Sequence, residues 1–423
     1  MLQVSFIRQN RDAVLERLAI KNFFQPELID EVVALDDERK KNQSHFDNAQ
    51  ARVNSASKDI GNLMRQGKKN EAETLKAEVA SLKTTIDSLK EKMADIEKHL
   101  LDKLLLLPNL PNIQVPKGKT PEDNVVVREG GTKPALTDGA IPHWNLAAKY
   151  KLIDFELGTK VTGSGFPFYI GKGAKLQRSL IQYFLDFNTA VGYLEFLPPF
   201  MVNEESAYGT GQLPDKEGQM YHATADNFYL IPTAEVPVTN VYRDTILKED
   251  DFPIKMTAYS PCFRREAGSY GKDVRGLNRL HQFEKVEIIQ IVHPDKSYEA
   301  LDEMVGHVER LLQSLELPYR ILRLCGGDMS FASAITYDFE VYSAAQQRWL
   351  EVSSVSNFES FQTNRMKCRF KDATGKTLLA HSLNGSSLAL PRIVASLIEN
   401  NQGVEGISLP KVLHTYFSAE MIS

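Results

Sequence analysis

From Leu28 the chain can be stepped through Val32, Leu35, Arg39, Asn42, Phe46, Ala49, Val53, Ala56 and Ile60 to Leu63 in strict alternation of four and three residues. A second ladder of the same spacing runs from Leu75 through Val79, Leu82, Ile86, Leu89, Met93 and Ile96 to Leu100. Such alternation marks a heptad seam along one side of a helix. Two seams separated by the polar tip Arg65 to Asn70 predict an antiparallel helical hairpin. Each helix has about 35 residues, so at ~1.5 Å per residue the hairpin reaches roughly 50 Å. Folding at that tip brings Ala56 near Leu82, Ala49 near Leu89 and Phe46 near Met93, small facing large. A hairpin that buries one stripe cannot be a core; it must project toward a partner that is itself long. Arg39 and Asn42 interrupt the seam near its base, where other parts of the N-terminal region are expected to cover it.

Lys76, Lys83 and Lys90 recur every seven residues beside the second seam, and Arg65, Lys68 and Lys69 stand at the tip. Lysines flanking a seam commonly make interhelical ion pairs. The alternative is a line of phosphate contacts. The net charge of -5 gives the whole chain no pull toward polyanions, so nucleic-acid contact has to come from local patches. Residues 36–103 are nearly neutral within this acidic chain, which tilts the arm toward phosphate.

After Leu107 the prolines Pro108, Pro111, Pro116 and Pro121 cannot continue a helix. The expected organisation is a helical arm domain over 1–107, a linker over 108–135 and a larger domain over 136–423, as befits 423 residues. Cys262, Cys325 and Cys368 are odd in number and widely spaced, which argues for reduced thiols in a cytoplasmic protein. They form no C-x-x-C pattern, HExxH is absent, and no zinc is expected. Cys262 reads as a packed strand residue. The N-terminus lacks the apolar region of a signal peptide, and no run approaches the ~20 residues that cross a bilayer, so no membrane partner is expected.

In the larger domain, strand-like runs (228–231, 254–259, 285–291, 337–342) mix with helical ones (175–192, 298–317, 388–400). Most strand candidates are hairpin-like, without crossover helices between them. The pattern is α+β: an antiparallel sheet flanked by helices.

The chemistry concentrates in Phe263-Arg264-Arg265-Glu266-Ala267-Gly268-Ser269-Tyr270, continuing through Leu277 and Leu280 to His281-Gln282-Phe283-Glu284-Lys285-Val286-Glu287. Arg264 and Glu266 stand two apart, so an extended strand would point both to one face. After a Gly-rich loop the chain returns in a strand bearing Phe283 and Glu287. Cations suited to phosphate lie beside carboxylates suited to an ammonium.

This hairpin resembles the second signature motif of class II aminoacyl-tRNA synthetases, and its wording is most similar to the seryl-tRNA synthetase family. Other landmarks agree. The helix Leu176 to Ala190, followed by Gly192, Glu195, Pro198 and Pro199, resembles the first signature, which implies a homodimer through the Leu176 to Pro199 region. Thr233-Ala234-Glu235 resembles the family's Thr-x-Glu substrate element, although alone it reads as a helix start. Glu351-Val352-Ser353-Ser354 resembles the strand that holds Mg2+ and ATP, with hard oxygens of the kind magnesium takes. Asn384 to Arg392 resembles the third signature, with Ser387 and Pro391 where many relatives carry glycine; Pro391 suits a first helical turn. Gly375-Lys376-Thr377 imitates the end of a P-loop, but Phe370 occupies the position of the first glycine, so a hairpin turn is expected.

The resemblance implies a class II catalytic domain that activates L-serine with ATP and transfers it to the 3′-hydroxyl of the terminal adenosine of serine tRNA, and by family of selenocysteine tRNA. It further implies that Arg264 bridges the serine carboxylate and the α-phosphate, and that Arg392 binds the γ-phosphate. Glu351 and Ser354 would carry Mg2+, and Glu266, Leu280 and Phe283 would meet the nucleotide. Thr233, Glu235, Glu287 and Ser386 would surround serine, and the arm with Arg65, Lys68, Lys69, Lys76, Lys83 and Lys90 would grip the long variable arm of the tRNA. Glu287→Ala is expected to abolish serine-dependent pyrophosphate exchange and spare the fold. A paralogue that loads an amino acid onto a carrier protein should lack the arm. A non-catalytic coiled-coil RNA-binding protein would tolerate loss of Arg264, Glu287, Glu351 or Arg392, and all four are present.

Overall fold

The structure is a computed structural model. It describes residues 1–136, 139–215, 217–266 and 275–423, so the expected Gly-rich loop at 267–274 lies outside the described residues. The chain divides into two compact units, one of residues 1–16 and 23–108, the other of 17–22 and 109–423.

In the first unit α1 (Pro26–Arg65) and α2 (Lys69–Leu104) pack antiparallel. Pro26 takes the first helical position of α1, where a missing N–H costs nothing. At ~1.5 Å per residue the two helices are roughly 60 and 55 Å long. Val53, Ala56, Ala72, Ile86 and Ile96 form the buried seam. Ion pairs between the helices join Arg52 to Glu78 at 2.6 Å, Lys92 to Glu38 at 2.9 Å and Lys103 to Glu31 at 2.6 Å.

These pairs correct the expected register. Setting Ala56 against Leu82 would put Arg52 level with Ile86 and Glu38 level with Leu100. Those two partners lie eight residues nearer the tip, and Lys103, the partner of Glu31, lies four nearer than the level position, Leu107. The reason is the connection: helix continues through Arg65 and resumes at Lys69, so only residues 66–68 turn the chain and the helices close up on a shorter tip.

Near the base of α1, Asp36 is buried among Lys40 (2.7 Å), Arg39 (2.8 Å) and Arg8 (2.8 Å). Burial opposes its ionisation, but the hydrogen bonds from these cations win and hold the carboxyl well below its usual range. Arg39 and Asn42 interrupt the seam for this purpose: Arg39 serves Asp36, and Asn42 donates to the Glu38 carbonyl at 2.8 Å.

The second unit is built on a sheet that has eight strands among the described residues: β1 (Val125–Gly130), β2 (Leu194–Phe196), β3 (Ile254–Phe263), β4 (Gln282–Val292), β5 (Tyr319–Arg323), β6 (Ile335–Ser343), β7 (Arg348–Glu359) and β8 (His381–Ala389). Their spatial order is β1-β5-β6-β7-β8-β4-β3-β2. Neighbours are antiparallel except β2 and β3, which run parallel. The α+β expectation thus holds. The stretch from 109 onward packs into this unit: Asn109 donates to the carbonyls of Ala332 and Phe358 at 2.9 and 2.8 Å, and β1 forms the sheet edge.

Alternation along β4 separates two faces. Val286 and Ile288 enter the main core with Leu176 and Leu180 of α3 (Lys172–Thr189), Met304 and Val308 of α4 (Ser297–Ser314), and Ile393 and Leu397 of α5 (Leu390–Asn400). Ile289 and Ile291 join a smaller cluster around Met256 and Phe370. Lys285 and Glu287 alternate onto this second face. Pro391 lies in the first turn of α5, as expected. Gly375 lies in a turn at φ +82° between two short strands, 369–371 and 377–379, so Gly375-Lys376 belongs to a hairpin and not to a phosphate loop.

Candidate active site

Glu287 of β4 stands opposite Ser386 of β8 in the strand register. Its Oε1 accepts from Thr233 Oγ1 at 2.9 Å and from Ser386 Oγ at 3.3 Å. Lys285, two residues earlier on the same face and 6% exposed, makes an ion pair with the same oxygen. Glu287 Oε2 is buried with no hydrogen-bond partner among the described residues. A buried acceptor left unpaired is costly, so this oxygen marks where a ligand donor belongs.

Thr233 also accepts from the backbone N–H of Glu235 at 3.2 Å, and Glu235 opens a short helix, Glu235–Thr239. The triplet is therefore both a helix start and a wall of the pocket. Glu235 is buried, and Gln362 Nε2 donates to its Oε1 at 2.6 Å. Burial, then the nearby Glu287 charge, pushes its carboxyl up to about 7, against the pull of Gln362, Lys285 and Arg264. The floor of the pocket thus carries two carboxyl groups and one buried lysine.

Arg264 lies one residue beyond β3, its N–H donating to the His281 carbonyl at 2.9 Å. Its guanidinium sits over the Phe283 ring at 5.2 Å from the centroid. The expected pairing of Arg264 and Glu266 on one strand face does not occur. The strand ends at Phe263, Glu266 takes a left-handed backbone at φ +47°, and its carboxylate pairs with Arg279. Leu280 packs its side chain into the main core.

A second group lies across β6, β7 and α5. Arg392 Nη1 donates to the Glu351 carbonyl at 2.8 Å and lies 3.7 Å from the Glu351 carboxylate, while its Nε donates to the Asn278 carbonyl at 3.1 Å. Asp338 faces Ser354 in the register of β6 and β7. Burial and the Glu351 charge raise the Asp338 carboxyl well above its usual range, and its Oδ1 has no partner among the described residues. Ser353 Oγ donates to the Ser386 carbonyl at 2.6 Å, which ties this strand to the pocket.

Sequence reasoning passed over Lys285, Gln362, Asp338 and the carbonyl of Asn278. Lys285 had a signal, since it alternates with Phe283 and Glu287 on one strand. Gln362 and Asp338 had none, because their partners are remote in the chain. Cys262 is buried beside the pocket, and burial pushes its thiol up, as a packed strand residue requires. The six basic arm residues are all exposed. Lys76 pairs with Glu73 at 2.6 Å and Lys90 with Asp87 at 3.6 Å, within their own helix and not across the seam.

An antiparallel sheet holding an arginine over an aromatic ring, with a second arginine at the start of a helix, is the arrangement that the resemblance to class II aminoacyl-tRNA synthetases implies. Residues 220–401 match the family model of the tRNA synthetase class II core domain (G, H, P, S and T). Residues 1–111 match the seryl-tRNA synthetase N-terminal domain. A serine–tRNA ligase of Salinibacter ruber is 50% identical over 418 residues, covering 98% of each chain. One of Hydrogenobaculum sp. is 45% identical over 423 residues and covers 100% of both. The crystal structure of seryl-tRNA synthetase from Pyrococcus horikoshii complexed with ATP superposes with a TM-score of 0.92 at 30% identity, covering 100% of this chain and 99% of that one. The chain belongs to the seryl-tRNA synthetase family.

Proposed function

We infer that this enzyme is a serine–tRNA ligase: it activates L-serine with ATP and passes the seryl group to tRNA. The observation that carries the choice of amino acid is Glu287 Oε2, a buried and unpaired acceptor beside Ser386, where a substrate hydroxyl completes the hydrogen bonding. A pocket built this way rejects an analogue lacking the hydroxyl by roughly ten-thousandfold or more. Glu235, on the other wall, receives the serine ammonium.

The serine carboxylate is ionised at neutral pH and attacks the α-phosphorus without a general base; a P–O bond forms to serine and the bond to pyrophosphate breaks. The protein's work is orientation and charge neutralisation. Arg264 grips the serine carboxylate and the α-phosphate, for which a planar guanidinium suits better than an ammonium. Phe283 offers a ring face to the adenine, with Glu266 beside it. Arg392 takes the γ-phosphate. The 3′-hydroxyl of the terminal adenosine then attacks the seryl carbonyl, and AMP leaves.

Glu351 and Ser354 would hold Mg2+, and the unpaired Asp338 Oδ1 next to them adds a further hard oxygen to a donor set that fits this ion. When bound, magnesium neutralises phosphate charge. A homodimer is supported by apolar surface that follows α3: Leu194 and Leu197 are 64% and 81% exposed, and a groove lined by Pro198, Pro199 and Met201 adjoins them. The exposed lysines of the arm suit the backbone of a long tRNA variable arm. Among the described residues no helix is long and apolar enough to cross a membrane, and work on tRNA suits a cytoplasmic enzyme. Amino-acid-dependent ATP–pyrophosphate exchange across the twenty amino acids, with and without tRNA, tests the reading. Exchange driven by serine alone is expected, and exchange driven equally by alanine would overturn it.

A further inference from the structure

On the helix-covered side of the sheet, directly behind the pocket, Asn188 lies fully buried in the last turn of α3. Both ends of its amide are engaged. Nδ2 donates to Thr257 Oγ1 at 2.9 Å, and Thr257 Oγ1 donates onward to the backbone carbonyl of Glu287 at 2.8 Å. Oδ1 accepts from Ser387 Oγ at 2.8 Å and lies 2.7 Å from His307 Nε2.

The direction of each bond is forced. A carbonyl only accepts, so the Thr257 proton must go to Glu287, and the Thr257 oxygen must then accept from the nitrogen of Asn188. That orients the amide and leaves its oxygen for Ser387 and for a proton on His307 Nε2. Burial lowers the His307 pKa to about 4, which keeps the ring neutral and in need of one donor and one acceptor role.

One amide thereby holds the backbones of both residues that read the substrate hydroxyl, Glu287 through Thr257 and Ser386 through its neighbour Ser387. We propose that Asn188 is a positioning residue for amino-acid specificity, fixing the spacing of β3, β4 and β8 so that Glu287 and Ser386 close on serine and leave no room for an added methyl group. The proposal rests on the serine reading of the pocket. An extra methyl group in a yielding pocket is tolerated at small cost, so rejection of threonine needs strands that do not give.

The test is pyrophosphate exchange by the full-length enzyme carrying Thr257→Val, which keeps the shape and removes the hydroxyl, or Ser387→Ala. Wild-type enzyme is run first: a lack of serine dependence there sinks the reading of the pocket and not the role of Asn188. Given that dependence, each variant should raise the serine KM about five- to tenfold, leave the ATP KM within about twofold, and reduce the preference for serine over threonine. An unchanged serine KM, or serine and ATP KM rising together, overturns the proposal. Should Thr257→Val fold poorly, Ser387→Ala decides alone.

Discussion

Gln362 Nε2 donates to Glu235 Oε1 at 2.6 Å across 127 residues of chain, and it does so to a carboxyl group that burial has pushed up to about 7. The unliganded pocket therefore carries a proton near neutrality that the unfolded chain releases at the ordinary carboxyl value of 4.5. A raised folded-state value contributes stability that is whole below pH 4.5 and lost as pH rises through about 7, on the order of 3 kcal/mol in all. A serine ammonium favours the ionised form, so binding expels this proton. Serine affinity should rise up to tenfold per unit as pH climbs toward about 7, then level off. Calorimetry in buffers of differing ionisation heat should detect the released proton, and Glu235→Gln should bind weakly with a flat profile.

Glu287→Ala should abolish serine-dependent exchange, but the structure corrects the expectation that it spares the fold. Lys285, with a side chain 7% exposed, would lose its carboxylate and be left as an unpaired buried charge. Breaking a buried pair costs about 3–5 kcal/mol, whereas replacing both partners by apolar residues is often neutral. Thermal unfolding should show Glu287→Ala clearly destabilised and Lys285→Met with Glu287→Leu near wild type, both inactive. A single variant as stable as wild type would remove the ion pair from the account.

Arg392→Lys should lower exchange about a hundredfold with little effect on the fold. The guanidinium spans two backbone carbonyls, those of Asn278 and Glu351, from a half-exposed position. An ammonium reaches only one of them, and the lost contact is worth about 1 kcal/mol of stability. Titrating ATP at saturating serine separates the two effects.

Replacing Lys76, Lys83 and Lys90 together by alanine should leave exchange intact and weaken tRNA charging. If all three meet phosphates, the plot of log affinity against log salt should become shallower by about 2 to 3. An unchanged slope would assign them to the helix surface, where Lys76 and Lys90 already have acidic neighbours.

Local periodicity made much of this molecule legible. The heptad ladders mark α1 and α2, alternation marks β4, and the run of signature motifs places Arg264, Glu351 and Arg392 in their segments. The residue types of the pocket were readable too, since Thr233, Glu287 and Ser386 meet as their motifs imply. Errors arose where the outcome depended on a single backbone step. The three-residue turn at 66–68 moved the arm's register toward its tip, and the left-handed Glu266 turned its side chain away from the face that a strand would have presented.

The amino-acid order alone therefore determined which segments are helix and strand, because a seam or an alternating face repeats every few residues. Folding in three dimensions settled how those segments share protons and charge. Lys285 became a buried partner of Glu287, Gln362 came to hold Glu235, and one amide at Asn188 came to brace two strands. Lys285 and Glu287 are only two residues apart, whereas the contacts of Gln362 and Asn188 join residues that lie tens to hundreds of positions apart. The strength of all of them comes from burial, a property that no spacing along the chain encodes.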